Sequence, residues 1–232
     1  MIPFRDNIPS RSFPFVTVAL ILINAAAFLY ELSLGHALEA FIFQYGVVPA
    51  DVFSWPESDA SVTAVAVPFL TSIFLHGGWL HLIGNMWYLW IFGDNVEDRL
   101  GHINYVMFYL LCGLGAGIVH TMLNSSATIP SVGASGAIAG VLGAYLVSYP
   151  FARVLTLVPL FIFIQVIEIP AFIVLAAWFF IQFINGAGAL AVAGPADTGG
   201  VAWWAHIGGF VIGMLLIGLF PRRGRQPEYS RS

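Results

Sequence analysis

Four residues have the types and spacing to do chemistry together: Ser135, His206, His81 and Asn85. A serine hydroxyl becomes a nucleophile when a histidine ring stands ready to take its proton. Attack on an amide builds an oxyanion, which needs fixed hydrogen-bond donors. An Asn amide, a His ring N–H and a backbone N–H at a helix start are such donors. Ser135 lies in Gly133-Ala-Ser135-Gly136-Ala-Ile-Ala139-Gly140, just beyond Pro130, at the entry to an apolar run. His81 and Asn85 are four apart and share a helix face. No carboxylate accompanies them in the same halves of their segments, so the arrangement is a Ser–His dyad and not a triad.

Each residue also has a plainer reading. A serine among glycines and alanines is also a helix-packing seam. His81 and Asn85 also suit an interhelical hydrogen bond, and His206, beside Trp203 and Trp204, an interfacial anchor. His76 and His102 read as membrane-surface residues and His120 as an interfacial one, while Glu97, Asp98 and Arg99 cap and close a turn. The conjunction of Ser, His, His and Asn acquires meaning only if separate elements bring them to one place.

Those elements are membrane elements. Of 232 residues, 59% are hydrophobic and only 9% charged, with mean hydropathy +0.88. A soluble domain carries about a quarter charged residues, so the composition calls for an integral membrane protein in a lipid bilayer. The lone Cys112 excludes a disulfide framework. There is no Cys/His zinc spacing, glycine-rich phosphate loop or basic stripe, so no metal, no cofactor and no nucleic acid is expected. The first apolar run follows Pro14 and no small-residue cleavage site closes it, so no cleavable signal peptide is expected.

Apolar runs predict six transmembrane helices over approximately 13–31, 80–97, 103–123, 135–149, 170–187 and 201–220. The stretch 34–78 is too polar in its first half to cross. Its second half, broken by Pro68, suits an interfacial or re-entrant element. Residues 153–169 are β-branched on either side of Pro159 and read as a short hairpin or interfacial loop. Residues 185–200 read as a Gly/Ala loop over a polar cavity, and 221–232 as a polar cytoplasmic tail. With six crossings all eight arginines fall on one side, which must be cytoplasmic. Ser135, His81 and His206 then all lie near the outer ends of their spans.

Small residues predict which spans meet. Gly136 and Gly140 form one row and Gly209 and Gly213 another, each spaced by four. A close crossing of the spans that carry them brings the Ser135 hydroxyl to the His206 ring.

Four segments, in order, resemble the rhomboid family of intramembrane serine proteases: His76-Gly-Gly-Trp-Leu-His81-Leu-Ile-Gly-Asn85, Phe92-Gly-Asp-Asn-Val-Glu97-Asp-Arg-Leu-Gly101, Gly133-Ala-Ser135-Gly136 and Ala205-His206-Ile-Gly-Gly209. The resemblance covers roughly residues 65–220. It implies Ser135 as nucleophile, His206 as general base, His81 and Asn85 with the Ser135 N–H as oxyanion donors, and Glu97 as a structural acid. It further implies a membrane-embedded first loop and a fifth span that gates substrate entry. Two departures stand out. Some members have a tyrosine one turn after the nucleophile that stacks on the base, and here that position is Ala139, leaving Trp203 or Trp204 to orient His206. The Trp-Arg pair in the first loop of some members is also missing.

The resulting expectation is an all-α membrane protein, a single domain over 1–220 with a six-helix bundle and an embedded first loop. It would cleave the transmembrane segments of other membrane proteins near their outer ends, at small residues with helix breakers nearby. A bacterial cytoplasmic membrane is the expected setting. The rival readings are a non-catalytic membrane-protein binder or chaperone on the same scaffold, and a transporter or haem carrier using the histidines as ligands.

Overall fold

The computed structural model describes residues 2–160, 163–193, 202–221 and 223. In chain order its principal elements are β1 (Ile2–Asp6), α1 (Phe15–Ser33), α2 (Leu38–Tyr45), α3 (Pro49–Ser54), α4 (Val62–Thr71), α5 (Trp79–Leu100), α6 (His102–Leu123), α7 (Ser135–Ser148), β2 (Arg153–Leu160), β3 (Phe163–Pro170), α8 (Ala171–Ala193) and α9 (Trp203–Leu216). The chain is a multi-pass membrane protein, helical as expected, with a small sheet in addition.

The six-span count is corrected. Among the described residues three helices are long and apolar enough to cross a membrane: Phe15–Ser33, His102–Leu123 and Ala171–Gly188. A fourth crossing results only if the bent pair Val62–Phe74 and Trp79–Leu100 counts as one span. α5 alone ends in Asp94, Glu97, Asp98 and Arg99, too charged a tail for its length. α7 and α9 have 14 residues each, about 21 Å at 1.5 Å per residue, well short of the ~30 Å hydrocarbon core. Apolar composition alone does not give crossing length.

The membrane-embedded first loop is likewise not evident. Residues 34–78 form α2, α3 and α4 with single 3₁₀ turns at Gly35–Ala37, Trp55–Glu57 and Ser72–Phe74. Proline sets this segmentation: Pro49 begins α3, where its missing N–H costs nothing. The Ser61 hydroxyl caps α4 by accepting from the Ala64 N–H at 3.3 Å. The chain then bends by 75° into α5.

α7 sits at the centre. Every residue from Gly136 to Tyr145 is buried, as befits a helix apolar on all sides. α6 buries Tyr105, Phe108, Tyr109, Cys112 and Ala116, a three-to-four-residue repeat that makes one buried face. α9 packs on the other side. A Cβ on Gly209 would fall on the Gly136 carbonyl, and one on Gly213 on the Gly140 carbonyl. The expected close crossing of the two glycine rows is present. The α7 glycines face the third helix as well: a Cβ on Gly136 would meet the Ala116 Cβ at 2.6 Å, and one on Gly140 the Cys112 Sγ at 2.5 Å.

Opposite the site, the bundle is tied together by polar contacts. Glu97, 1% exposed, accepts from the N–H groups of Val16 at 2.9 Å and Thr17 at 2.8 Å, from the Thr17 hydroxyl at 2.7 Å and from His102 Nδ1 at 2.6 Å. It therefore caps the start of α1, satisfying donors that no intrahelical carbonyl reaches, and does more than close its own turn. Asp98 accepts from the Arg11 N–H and from the Ser12 N–H and hydroxyl. Gly101, at φ +77°, lets α5 run into α6 across one residue.

Residues 153–169, read as a short hairpin or an interfacial loop, belong to β2 and β3, paired antiparallel from Arg153↔Pro170 to Leu160↔Phe163. β1 adds to its edge with Ile2↔Leu157 and Asp6↔Val154. Asp6 accepts a hydrogen bond from the Tyr145 hydroxyl near the end of α7. Burial pushes the Asp6 carboxyl up to about 6, the Tyr145 hydrogen bond opposing the shift. The expected 185–200 loop begins later than anticipated, because α8 continues to Ala193. Residues 194–201 lie outside the described residues, as does most of the 221–232 tail.

Candidate active site

Ser135 is the first residue of α7, so its hydroxyl stands at a helix entry and its N–H has no partner one turn back. The loop before it is held by the first third of the chain. Val47 and Ser131 exchange backbone hydrogen bonds of 3.1 and 2.8 Å, the Ala50 N–H donates to the Ala127 carbonyl at 3.0 Å, and the Gly133 N–H donates to the Ser72 carbonyl at 2.8 Å. Gly133 sits at φ +134°, and a Cβ there would lie 2.7 Å from the His81 ring. Only glycine lets the loop pass this close to the imidazole.

His206 enters from α9 and is 8% exposed. Its Nε2 lies 2.7 Å from Ser135 Oγ, across 71 residues of sequence. Its Nδ1 lies 2.7 Å from the Oε1 of Gln182 on α8. A carbonyl oxygen only accepts, so Nδ1 carries the proton, and Nε2 offers its lone pair to the serine hydroxyl. The Trp178 ring, one turn before Gln182, lies tilted at 36° to the imidazole with centroids 5.9 Å apart. Trp203 meets the same ring edge-on at 6.1 Å, whereas Trp204 turns to Phe183. Ala139 is fully buried, and its methyl group offers the base no ring to stack on.

Gln182 and Trp178 were missed by sequence reasoning. The signal was present: a lone glutamine inside the apolar run of α8, four residues after a tryptophan and so on its face.

The His81 Nδ1 accepts from the Gly77 N–H at 3.4 Å. That leaves Nε2 as the protonated nitrogen, on the side of the ring that touches Gly133. Asn85 is buried, and its Nδ2 hydrogen-bonds His76 Nε2 at 3.0 Å. One amide N–H is thereby fixed, and the second remains to donate elsewhere. His76, expected at the membrane surface, is instead 2% exposed, and its backbone N–H donates to the buried Glu31 carboxylate at 3.2 Å. His120 is buried too, while His102 is half-exposed on Glu97.

A cavity of about 30 Å³ adjoins Ser135, lined among others by Gly133, Gly136, Ala116, His120 and Ala205. It has room for a water or a methyl-sized group. Together the arrangement offers a hydroxyl paired with an imidazole whose far nitrogen is held, and the His81 ring against Gly133, two residues before Ser135.

Among proteins of known family, the rhomboid domain model matches residues 64–223, more than half of the chain. RHOMBOID-like protein 5 of Arabidopsis thaliana is 42% identical over 77 residues, covering 33% of this chain and 25% of the relative. Rhomboid protein 1, mitochondrial, of Saccharomyces cerevisiae is 31% identical over 158 residues, covering 64% and 40%. Presenilin-associated rhomboid-like protein, mitochondrial, of Bos taurus is 28% identical over 196 residues, covering 78% and 46%. The chain spans between a quarter and about half the length of these relatives.

Proposed function

Since the chain belongs to the rhomboid family, we propose that it is an intramembrane serine endopeptidase that cleaves transmembrane segments of other membrane proteins. The observation that carries the reading is the 2.7 Å contact between Ser135 Oγ and His206 Nε2, with His206 Nδ1 occupied by a pure acceptor.

Ser135 attacks the scissile carbonyl while His206 Nε2 takes its proton. The oxyanion is received by the Ser135 N–H, the His81 Nε2–H and the free N–H of Asn85. Each such donor is worth about 3 kcal/mol in the transition state. The imidazolium then protonates the leaving amine, the amide C–N bond breaks, and the acyl-enzyme remains. Water, deprotonated by the same Nε2, releases the acid product and restores the serine. The small cavity beside Ser135 supports a preference for small side chains next to the scissile bond. Helix-breaking residues nearby would expose an amide that a helix otherwise protects.

Residues 1–220 act as one domain in this reading. The end of the bundle that carries Arg5, Arg11, Arg99 and Arg153 faces the cytoplasm, in keeping with the usual bias of Arg and Lys. Backbone N–H groups of Arg11 on Asp98, of Arg223 on the Arg99 carbonyl and of Arg153 on Asn7 support their grouping at one end.

The test is cleavage of a small-residue transmembrane substrate in detergent by the purified protein, by Ser135→Ala and by His206→Ala. Cleavage by the wild type alone supports the proposal. Equal cleavage by all three overturns it, as does none by the folded wild type across several substrates.

A further inference from the structure

We propose that Gln182 is the positioning residue of the base, an amide standing where triad proteases have a carboxylate. The inference rests on the protease reading of Ser135 and His206. Three observations carry it. Gln182 Oε1 lies 2.7 Å from His206 Nδ1, and both side chains are 8% exposed, so little water competes for the ring nitrogen. Among the described residues no carboxylate makes an ion pair with His206. Trp178, on the same face of α8, flanks the ring with centroids 5.9 Å apart.

The consequence is a division of labour among three helices: α7 supplies the nucleophile, α9 the base, and α8 both groups that orient the base. A neutral imidazole has two tautomers, and only the one protonated at Nδ1 accepts from Ser135. The Gln182 carbonyl selects that tautomer. Without it, Nδ1 has no acceptor, and the tautomer protonated at Nε2 turns its N–H toward the serine. An amide fixes proton and orientation without bringing a negative charge into a buried site, where an unpaired carboxylate is costly. The imidazolium formed during attack receives a neutral hydrogen bond in place of a charge-assisted one.

The experiment compares wild type, Gln182→Met and Gln182→Glu in detergent, measuring kcat and KM for a transmembrane peptide substrate across pH. Methionine keeps the length and apolar packing but removes the acceptor. Glutamate restores an acceptor at the same reach. Gln182→Met should lower kcat at least about tenfold with KM within twofold. Gln182→Glu should recover most of kcat and change the pH profile of kcat/KM. A structural role would instead lower thermal stability and active fraction in both variants, with kcat per active site unchanged. Active-site titration with a fluorophosphonate makes that distinction. Wild-type kcat in Gln182→Met, or equal loss in both variants, overturns the assignment while leaving the dyad intact. Absence of any Ser135-dependent activity in the wild type would instead overturn the reading on which it rests.

Discussion

Gly209 of α9 stands directly over the backbone carbonyl of Gly136, the residue after Ser135. The approach is so close that no Cβ fits, and the neighbour is backbone, which cannot rotate away as a side chain could. This contact fixes how near His206, three residues before Gly209, comes to Ser135. Gly209→Ala should therefore push α9 off α7 and break the Ser135–His206 hydrogen bond without touching either residue. Overpacking of this kind costs about 1–3 kcal/mol. We expect a lower unfolding temperature and at least about a hundredfold loss of substrate cleavage per folded molecule. Gly84→Ala, at an exposed position with open space around it, is the control and should lower neither.

His76 holds the Asn85 amide, and the pair predicts a graded effect. Asn85→Ala removes a proposed oxyanion donor outright and should cost about 10²–10³ in kcat. His76→Ala leaves the donor present but loosely held, so its loss should be smaller, about tenfold, and borne by kcat with KM unchanged. In the double variant the His76 effect should vanish, since there is no amide left to hold. Steady-state kinetics on the four proteins reads this directly.

The buried Asp6 carboxyl gives stability a pH dependence at the end of the bundle remote from Ser135. Burial raises the Asp6 carboxyl from 3.8 to about 6 in the folded state, so between those values the folded state holds more protons than the unfolded one. Stability from this group is thus fully present below about pH 4 and is lost as pH rises through about 6. Asp6→Asn removes the titration. The unfolding temperature of wild type relative to Asp6→Asn should fall between pH 4 and pH 7, as followed by thermal melts in detergent.

The pairing of Ser135 with His206 was legible because small residues record close approach. Gly136, Gly140, Gly209 and Gly213 mark the crossing at the same spacing in both helices. The crossing lengths were not legible, because hydropathy reports what surrounds a segment and not whether lipid or protein does so. α7 is apolar because it is enclosed by other helices, and its 14 residues are too few to span. Glu97 as cap of α1 was hidden because its partners, Val16 and Thr17, are about eighty residues away and two of their three donors are backbone N–H groups, which have no sequence signature. β1 was missed for a similar reason: five residues with a proline have no strand pattern until β2 offers its edge. Gln182 fell inside a long apolar run, where one polar residue was passed over.

The central claim is that His206 makes Ser135 a nucleophile, and covalent labelling tests it without any choice of substrate. Folded wild type in detergent is treated with a fluorophosphonate, and the adduct is located by peptide mass mapping. The account predicts one adduct per chain, on Ser135, absent in Ser135→Ala and slowed at least about a hundredfold in His206→Ala. Labelling of Ser135 at an equal rate in His206→Ala, or an adduct on another residue in the wild type, would contradict it.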